Sequence, residues 1–122
     1  MLPIGEGSMK IFIDLFAGLG GASEAFYQSP EWTVIRLDNN RDLLDHTKGL
    51  IISDITDVDA TLKIIQTFLH GKIEKLVVWA SPPCDEFSYA YNAKRQLAAR
   101  AGEQYQPDLS LLIAAQEIIE VL

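Results

Sequence analysis

Short apolar runs alternate with segments of helical periodicity along most of the chain, which is typical of a fold that mixes strands and helices. The apolar runs predict four β-strands, at residues 11–16, 32–37, 49–52 and 75–80. The last run, KLVVWA, is almost continuously apolar, so we expect that strand to be buried on both faces. The intervening segments predict helices at residues 21–28, 41–47 and 58–70.

A strand–helix order that repeats in this way favours an α/β fold in which right-handed crossovers join parallel strands. Ligands bind such sheets beyond the carboxyl ends of the strands. A glycine-rich or polar segment follows each predicted strand, namely AGLGG, LDNN, SDIT and SPPC. The sequence therefore predicts that these four segments meet at one edge of the sheet.

The segments outside this repeat have a different character. Residues 1–9 mix Pro, Gly and Ser without periodicity and predict a flexible leader, with the domain running over residues 10–122. Residues 85–106 contain a small basic cluster without a clean period, which predicts a mobile loop. Pro107 and Asp108 then open a strongly apolar final helix.

Composition narrows the classes of function. The 122 residues suit a single domain, and no apolar run approaches the ~20 residues of a membrane span. The net charge of −7 argues against tight binding of nucleic acid by this chain alone. A single cysteine cannot form an internal disulfide, so we expect a reducing, cytoplasmic setting.

Residue types at three successive strand ends suggest an adenosine-type ligand. Gly18 and Gly20 lie at a strand-to-helix turn, where glycine lets the backbone approach a ligand closely. Asp38 follows the second strand and can hold ribose hydroxyls, while Asp54 and Ile55 follow the third and can contact an adenine. Each feature alone also fits an ordinary turn or cap; the prediction rests on all three together.

Two motifs carry a resemblance to a known family. DLFAGLGGAS, residues 14–23, is similar to the first motif of cytosine-5 DNA methyltransferases, and SPPCDEFS, residues 81–88, resembles their catalytic Pro-Cys motif. The resemblance implies a Rossmann-like class I methyltransferase fold with strand order 3-2-1-4. It also implies S-adenosylmethionine as cofactor, S-adenosylhomocysteine as product, and DNA with a flipped-out cytosine as substrate.

The resemblance further assigns residue roles. Cys84 becomes the nucleophile that adds to carbon 6 of the base. Asp38 becomes the ribose ligand, and Asp54 and Ile55 become adenine contacts. The other implied cofactor contacts are Phe16, Ala17, Gly18, Gly20, Asn39 and Pro82, and the candidate phosphate contacts are Ser88, Lys94, Arg95 and Arg100.

The chain departs from the family pattern in two places. Asp85 and Glu86 follow the cysteine, and their negative charge would raise the pKa of Cys84. The family's Glu-Asn-Val motif, whose glutamate contacts cytosine N3, does not occur. We therefore expect the N-terminal part of a longer enzyme or a split subunit, incomplete at the C-terminal end of its sheet and inactive without a missing part or second subunit.

Other functions also fit parts of the sequence. A tRNA cytosine methyltransferase would share the same motifs, whereas an amino-group methyltransferase would have an aromatic residue in place of Cys84. A NAD-binding Rossmann oxidoreductase would leave Cys84 without a role, and its glycine fingerprint is only partly matched because residue 23 is Ser. A non-catalytic methyltransferase-like module would bind a partner through an exposed edge of the fourth strand.

Overall fold

The structure, a computed structural model, describes residues 8–82 and 109–122. Within these ranges no helix combines the length and the apolar content that a membrane crossing needs. The strands are β1 (Ser8–Leu15), β2 (Trp32–Asp38), β3 (Leu50–Ile52) and β4 (Lys72–Ala80). The helices are α1 (Glu24–Gln28), α2 (Val58–Phe68) and α3 (Ser110–Val121), and a 3-10 turn lies at Arg41–Leu43.

The strands form a parallel four-stranded sheet with the order β3-β2-β1-β4. This confirms the predicted Rossmann-like α/β fold and its strand order. Strand β1 lies at the centre, and its Asp14 is in register with Arg36 of β2 and with Trp79 of β4. All four carboxyl ends consequently lie at the same edge of the sheet, where the polar segments were predicted to meet.

Alternation along β1 and β2 divides their side chains between two faces. One face packs against α2 and α3, which contact each other. The opposite face carries Phe12, whose ring stacks on Phe26 of α1 with centroids 4.4 Å apart, and Phe26 meets Trp32 edge-on at 4.8 Å. The buried apolar core contains Ile11, Ile13, Leu15, Ile35, Leu37, Ile55, Leu62, Ile65, Ala114, Ala115 and Ile118.

The three helices predicted between the strands differ from the structure. The helix predicted at 41–47 is wrong: only Arg41–Leu43 forms a 3-10 turn, because the Leu43 and Leu44 amides donate to the carbonyls three residues earlier, those of Asn40 and Arg41. Helix α1 begins at Glu24 because the preceding glycine turn uses its own tight backbone bonds. Helix α2 begins after Asp57, which caps it through the Ala60 amide, and ends at Phe68, two residues before the predicted end.

Strand β4 differs most from the prediction. It was predicted to be buried on both faces, yet Val77 is 37% and Trp79 49% exposed. Exposed and partly buried residues alternate towards the end of β4, so one of its faces is left largely open. Strand β1 begins at Ser8, so Ser8 and Met9 lie in the sheet, beside Lys72 and Ile73. Residues 1–7 and 83–108 lie outside the described residues, and so do the predictions made for them.

Candidate cofactor site

A cavity of about 270 Å³ lies at the carboxyl edge of the sheet. Its walls come from the segments after all four strands and from the first turn of α3, so the predicted convergence is found in the structure. Its volume is close to the lower end of typical small-molecule sites, about 300–1,000 Å³. The lining residues are Phe16, Gly18, Asp38, Asn39, Ile55, Ser81 and Leu111.

The backbone of the loop after β1 is held in an unusual conformation. Phe16 has φ 61° and Gly18 has φ 55°, both in the left-handed region. For a residue with a side chain this conformation costs about 1–3 kcal/mol and persists only where surrounding contacts enforce it. Here the Ala17 amide donates to the Leu37 carbonyl at 2.9 Å. A Cβ atom added at Gly18 would meet no protein atom within 4 Å, so space for a ligand adjoins the backbone there.

Asp38 joins this loop to the end of β2. Its Oδ2 accepts from the Gly18 amide at 3.0 Å, and its Oδ1 accepts from the Asn40 amide at 2.9 Å. A carboxylate offers about four lone-pair sites, so these two bonds leave acceptor capacity at a side chain that lines the cavity. Asp38 can therefore hold the loop and accept from ligand hydroxyl groups at the same time.

The remaining walls are mainly apolar. Phe16 and the buried Ile55 lie on the strand side, and Leu111 reaches the cavity from α3. Sequence reasoning missed Leu111 because it lies far along the chain on a helix with no motif. It also missed Ser81, although the position of Ser81 directly after β4 follows the same strand-end rule as Asp38. Apolar walls beside one carboxylate suit a flat heterocycle attached to a sugar.

Four predicted cofactor residues do not line this cavity. Asp54 is exposed and accepts from the amide and hydroxyl of Thr56, at 2.9 and 2.6 Å, as in an ordinary turn. Those hydrogen bonds lower the pKa of Asp54. Ala17 and Gly20 are buried within the loop, and Pro82 lines a different cavity of about 340 Å³ beside α3. The predicted residues Cys84, Ser88, Lys94, Arg95 and Arg100 lie outside the described residues.

A buried polar network lies beneath the loop, and sequence reasoning missed it too. Ser23 donates to Asp14 Oδ2 at 2.6 Å and accepts from Arg36 Nε at 2.9 Å. Burial raises the pKa of Asp14, while the Ser23 hydrogen bond and the Arg36 charge oppose that rise. Hydrogen bonds from Gln28 and then Arg36 lower the pKa of Glu24. The sequence does contain a signal for this network, since Asp14 and Arg36 are charged residues within two otherwise apolar predicted strands.

Comparison with known proteins adds one relationship. The chain is 34% identical over 83 residues to the Type II methyltransferase M.HgiGI of Herpetosiphon aurantiacus, a match that covers 64% of this chain and 62% of that protein. The chain thus covers less than two thirds of that relative's length. No family model and no solved structure matches the chain. The similarity supports a methyltransferase in general, and it agrees with the Rossmann-like sheet.

Proposed function

We propose that this chain carries the cofactor site and the nucleophile of an S-adenosylmethionine-dependent cytosine-5 DNA methyltransferase. The observation that supports this best is the cavity in which Phe16, Gly18, Asp38, Asn39 and Ile55 meet. The family resemblance implies a cofactor role for each of these five residues. The similarity to a Type II methyltransferase supports the same class of reaction.

The residues around the cavity fit an adenosine-type cofactor. Asp38 would accept from the ribose hydroxyls, since its carboxylate faces the cavity with unused acceptor capacity. Ile55 would pack against the adenine, while Phe16 and the open space at Gly18 would line the methionine portion. When bound, S-adenosylmethionine supplies an electrophilic methyl group on its sulfonium.

The proposed chemistry of the protein centres on Cys84. Its thiolate would form a bond to carbon 6 of cytosine, which makes carbon 5 nucleophilic enough to take a methyl group. Loss of the carbon-5 proton to a base and cleavage of the sulfur–carbon 6 bond would then regenerate the thiolate and the aromatic ring. The base must leave the duplex for this attack, at a cost of a few kcal/mol.

Substrate and partner are also part of the proposal. Ser88, Lys94, Arg95 and Arg100 would contact phosphates of the DNA, because they form a local polar and basic cluster on a chain of net charge −7. A further segment or a second subunit would supply the glutamate that contacts cytosine N3, since the 122 residues contain no Glu-Asn-Val motif.

Calorimetric titration with S-adenosylhomocysteine tests the cofactor site. We expect binding that Asp38→Ala weakens at least about tenfold, because a charge-assisted hydrogen bond contributes about 1.5–3 kcal/mol. Asp54→Ala is the matched control, since Asp54 is also a strand-end aspartate but lies outside the cavity. Binding of NAD in place of S-adenosylhomocysteine would favour the oxidoreductase, and equal effects of the two substitutions would contradict the assignment of Asp38.

A mechanism-based trap tests the nucleophile. The trap uses the chain together with the segment or subunit that supplies the glutamate. Duplex DNA that contains 5-fluorocytosine cannot lose a proton from carbon 5, so after methyl transfer from S-adenosylmethionine the adduct with Cys84 should persist on a denaturing gel. Cys84→Ser should abolish the adduct while leaving S-adenosylhomocysteine affinity unchanged. An adduct that survives Cys84→Ser would refute the assigned nucleophile, and an adduct with RNA but not DNA would redirect the proposal to tRNA.

A further inference from the structure

Arg36 is a charged residue at the centre of the sheet. It lies on β2, is 1% exposed, and is in register with Asp14 of β1. Side chains two residues apart on a strand share a face, so Arg36 and Asp38 project on the same side of β2. A buried guanidinium is tolerated only when its charge and its N–H groups find partners.

The partners of Arg36 come from the chain that surrounds the glycine turn. The guanidinium donates to the Gly20 carbonyl at 3.1 Å, to Ser23 Oγ at 2.9 Å and to Glu24 Oε2 at 2.8 Å. It also donates to the Lys48 carbonyl at 3.0 Å, in the loop before β3. Arg36 thereby connects the glycine turn and the start of α1 with a second loop near the same edge of the sheet.

Close packing fixes the guanidinium in place. A Cβ atom added at Gly20 would lie 2.7 Å from Arg36 Cζ, so Gly20 must lack a side chain for the arginine to fit. The ring of Tyr27 lies 4.2 Å from Cζ, within the range of a cation–π contact. A planar, rigid group with five donors is thus held between a glycine backbone and an aromatic ring.

The contacts of Arg36 and Asp38 act on one loop. Asp38 accepts from the Gly18 amide at 3.0 Å, while Arg36 donates to the Gly20 carbonyl at 3.1 Å. Thr47 adds a third support by donating to the Gly18 carbonyl at 2.7 Å. Arg36 itself does not line the cavity, so any effect on a ligand must pass through this loop.

We propose that Arg36 is a positioning residue, whose guanidinium holds residues 17–21 in the conformation that brings Gly18 and Asp38 to the ligand. The inference rests on the proposed function for the identity of the ligand, but not for the effect on the loop. Lysine would keep the charge but not the planar fork that reaches several acceptors in different directions. Arg36→Lys is therefore the informative substitution.

Two readouts test the proposal on the full chain: affinity for S-adenosylhomocysteine by calorimetry, and exchange of the Gly18 amide by NMR. We expect Arg36→Lys to weaken binding about tenfold and to speed Gly18 exchange about tenfold, which corresponds to the loss of one or two hydrogen bonds. Exchange of the Ile13 amide, deep in β1, reports global unfolding and is followed beside it as the measure of overall stability. Glu24→Gln removes only the exposed charge partner and should weaken binding about threefold.

A destabilised control separates positioning from stability. Ile65→Val lowers the stability of the buried core on α2 without touching the loop, so it should leave both readouts unchanged. Equal losses in Ile65→Val and Arg36→Lys would overturn the proposal, and so would wild-type affinity and Gly18 exchange in Arg36→Lys. If Arg36→Lys does not fold, the Glu24→Gln result decides, and wild-type behaviour of that variant overturns the proposal.

The outcome for the proposed function can be read separately. If the wild-type chain binds no S-adenosylhomocysteine, the proposed function loses its cofactor. Faster Gly18 exchange in Arg36→Lys would still support the role of Arg36 in holding the loop, and unchanged exchange would overturn that role.

Discussion

The two sides of strand β1 are built by different means. On the β2 side, charged and hydroxyl groups are buried together, and in the described ranges no buried side-chain nitrogen or oxygen lacks a hydrogen-bond partner. On the β4 side, large apolar side chains are partly exposed. They are Ile73, Val77 and Trp79 on β4 and Leu112, Ile113 and Ile119 on α3.

The difference shows which side can define a ligand geometry. Hydrogen bonds are directional, so a fully paired network such as Asp14, Ser23 and Arg36 specifies one arrangement of the loop above it. Apolar contact is non-directional, so the apolar side chains of β4 and α3 impose no comparable geometry. The cavity accordingly takes its carboxylate and its glycine turn from the β2 side, whereas Ser81 and Leu111 complete its wall from the other.

The largest difference in stability between the two sides should appear when apolar side chains are truncated to alanine. Ile13 is fully buried in β1, whereas Val77 of β4 is 37% exposed. Ile13→Ala should lower the free energy of unfolding by about 2–5 kcal/mol because it leaves a cavity, and Val77→Ala should lower it by less than about 1.5 kcal/mol. Urea unfolding of both variants measures this. Equal losses would show that the β4 side is as tightly packed as the centre of the sheet.

The next contrast lies within the glycine turn. Gly20 has φ 83° and contacts the Arg36 guanidinium, whereas Gly21 has open space around it and no positive φ. Gly20→Ala should cost about 2–4 kcal/mol of stability through backbone strain and overpacking. Gly21→Ala should change stability by less than about 0.5 kcal/mol. Similar unfolding midpoints for the two variants would contradict the close fit of Arg36 against Gly20.

The polar network should also give a pH dependence of known sign. Burial raises the pKa of Asp14 in the folded chain, so its contribution to stability is present below about pH 4 and is lost as the pH rises through the folded pKa. In the Asp14→Asn variant this position cannot ionise, so the variant does not lose stability in this way as the pH rises. The stability of the variant relative to wild type should therefore increase from pH 4 to pH 7 in urea titrations. A difference that stays constant or falls would contradict the burial of an ionisable Asp14.

The smallest effect is expected at a surface ion pair. Lys10 and Glu31 lie 3.3 Å apart, with 25% and 69% of their side chains exposed, in contrast to the buried Arg36. Lys10→Met should change the free energy of unfolding by less than about 1 kcal/mol, because water and salt screen exposed pairs. Thermal unfolding at low and high salt checks this. A loss as large as that of Arg36→Met would remove the distinction between buried and exposed cations.

Much of the fold and part of the site could be predicted from local pattern. Apolar runs of strand length, separated by helical periods, are sufficient to predict a parallel sheet, because a parallel pair requires a crossover between its strands. The carboxyl ends of parallel strands share one edge, so Gly18, Asp38 and Ile55 could be predicted to meet from their positions after strands.

Other features were decided only by packing in three dimensions. Nothing local distinguishes Asp38, which lines the cavity, from Asp54, which closes a turn in solvent. Leu111 reaches the cavity because α3 packs beside α2, a contact between segments far apart in the chain. The apolar run of β4 resembles a fully buried strand, but its exposure depends on which neighbours cover it.

The sequence by itself thus determined the kinds of secondary-structure element, their order, and the edge of the sheet at which the candidate site residues lie, because these follow from periodicity and chain direction. The tertiary structure alone decided which charges are buried and which loop they hold. In the sequence, Arg36 is simply a charged residue within an apolar strand. Only in the folded chain do Gly20, Ser23, Glu24 and Lys48 come close enough to accept hydrogen bonds from its guanidinium. Burial and hydrogen bonding depend on neighbours in space, which no local pattern records.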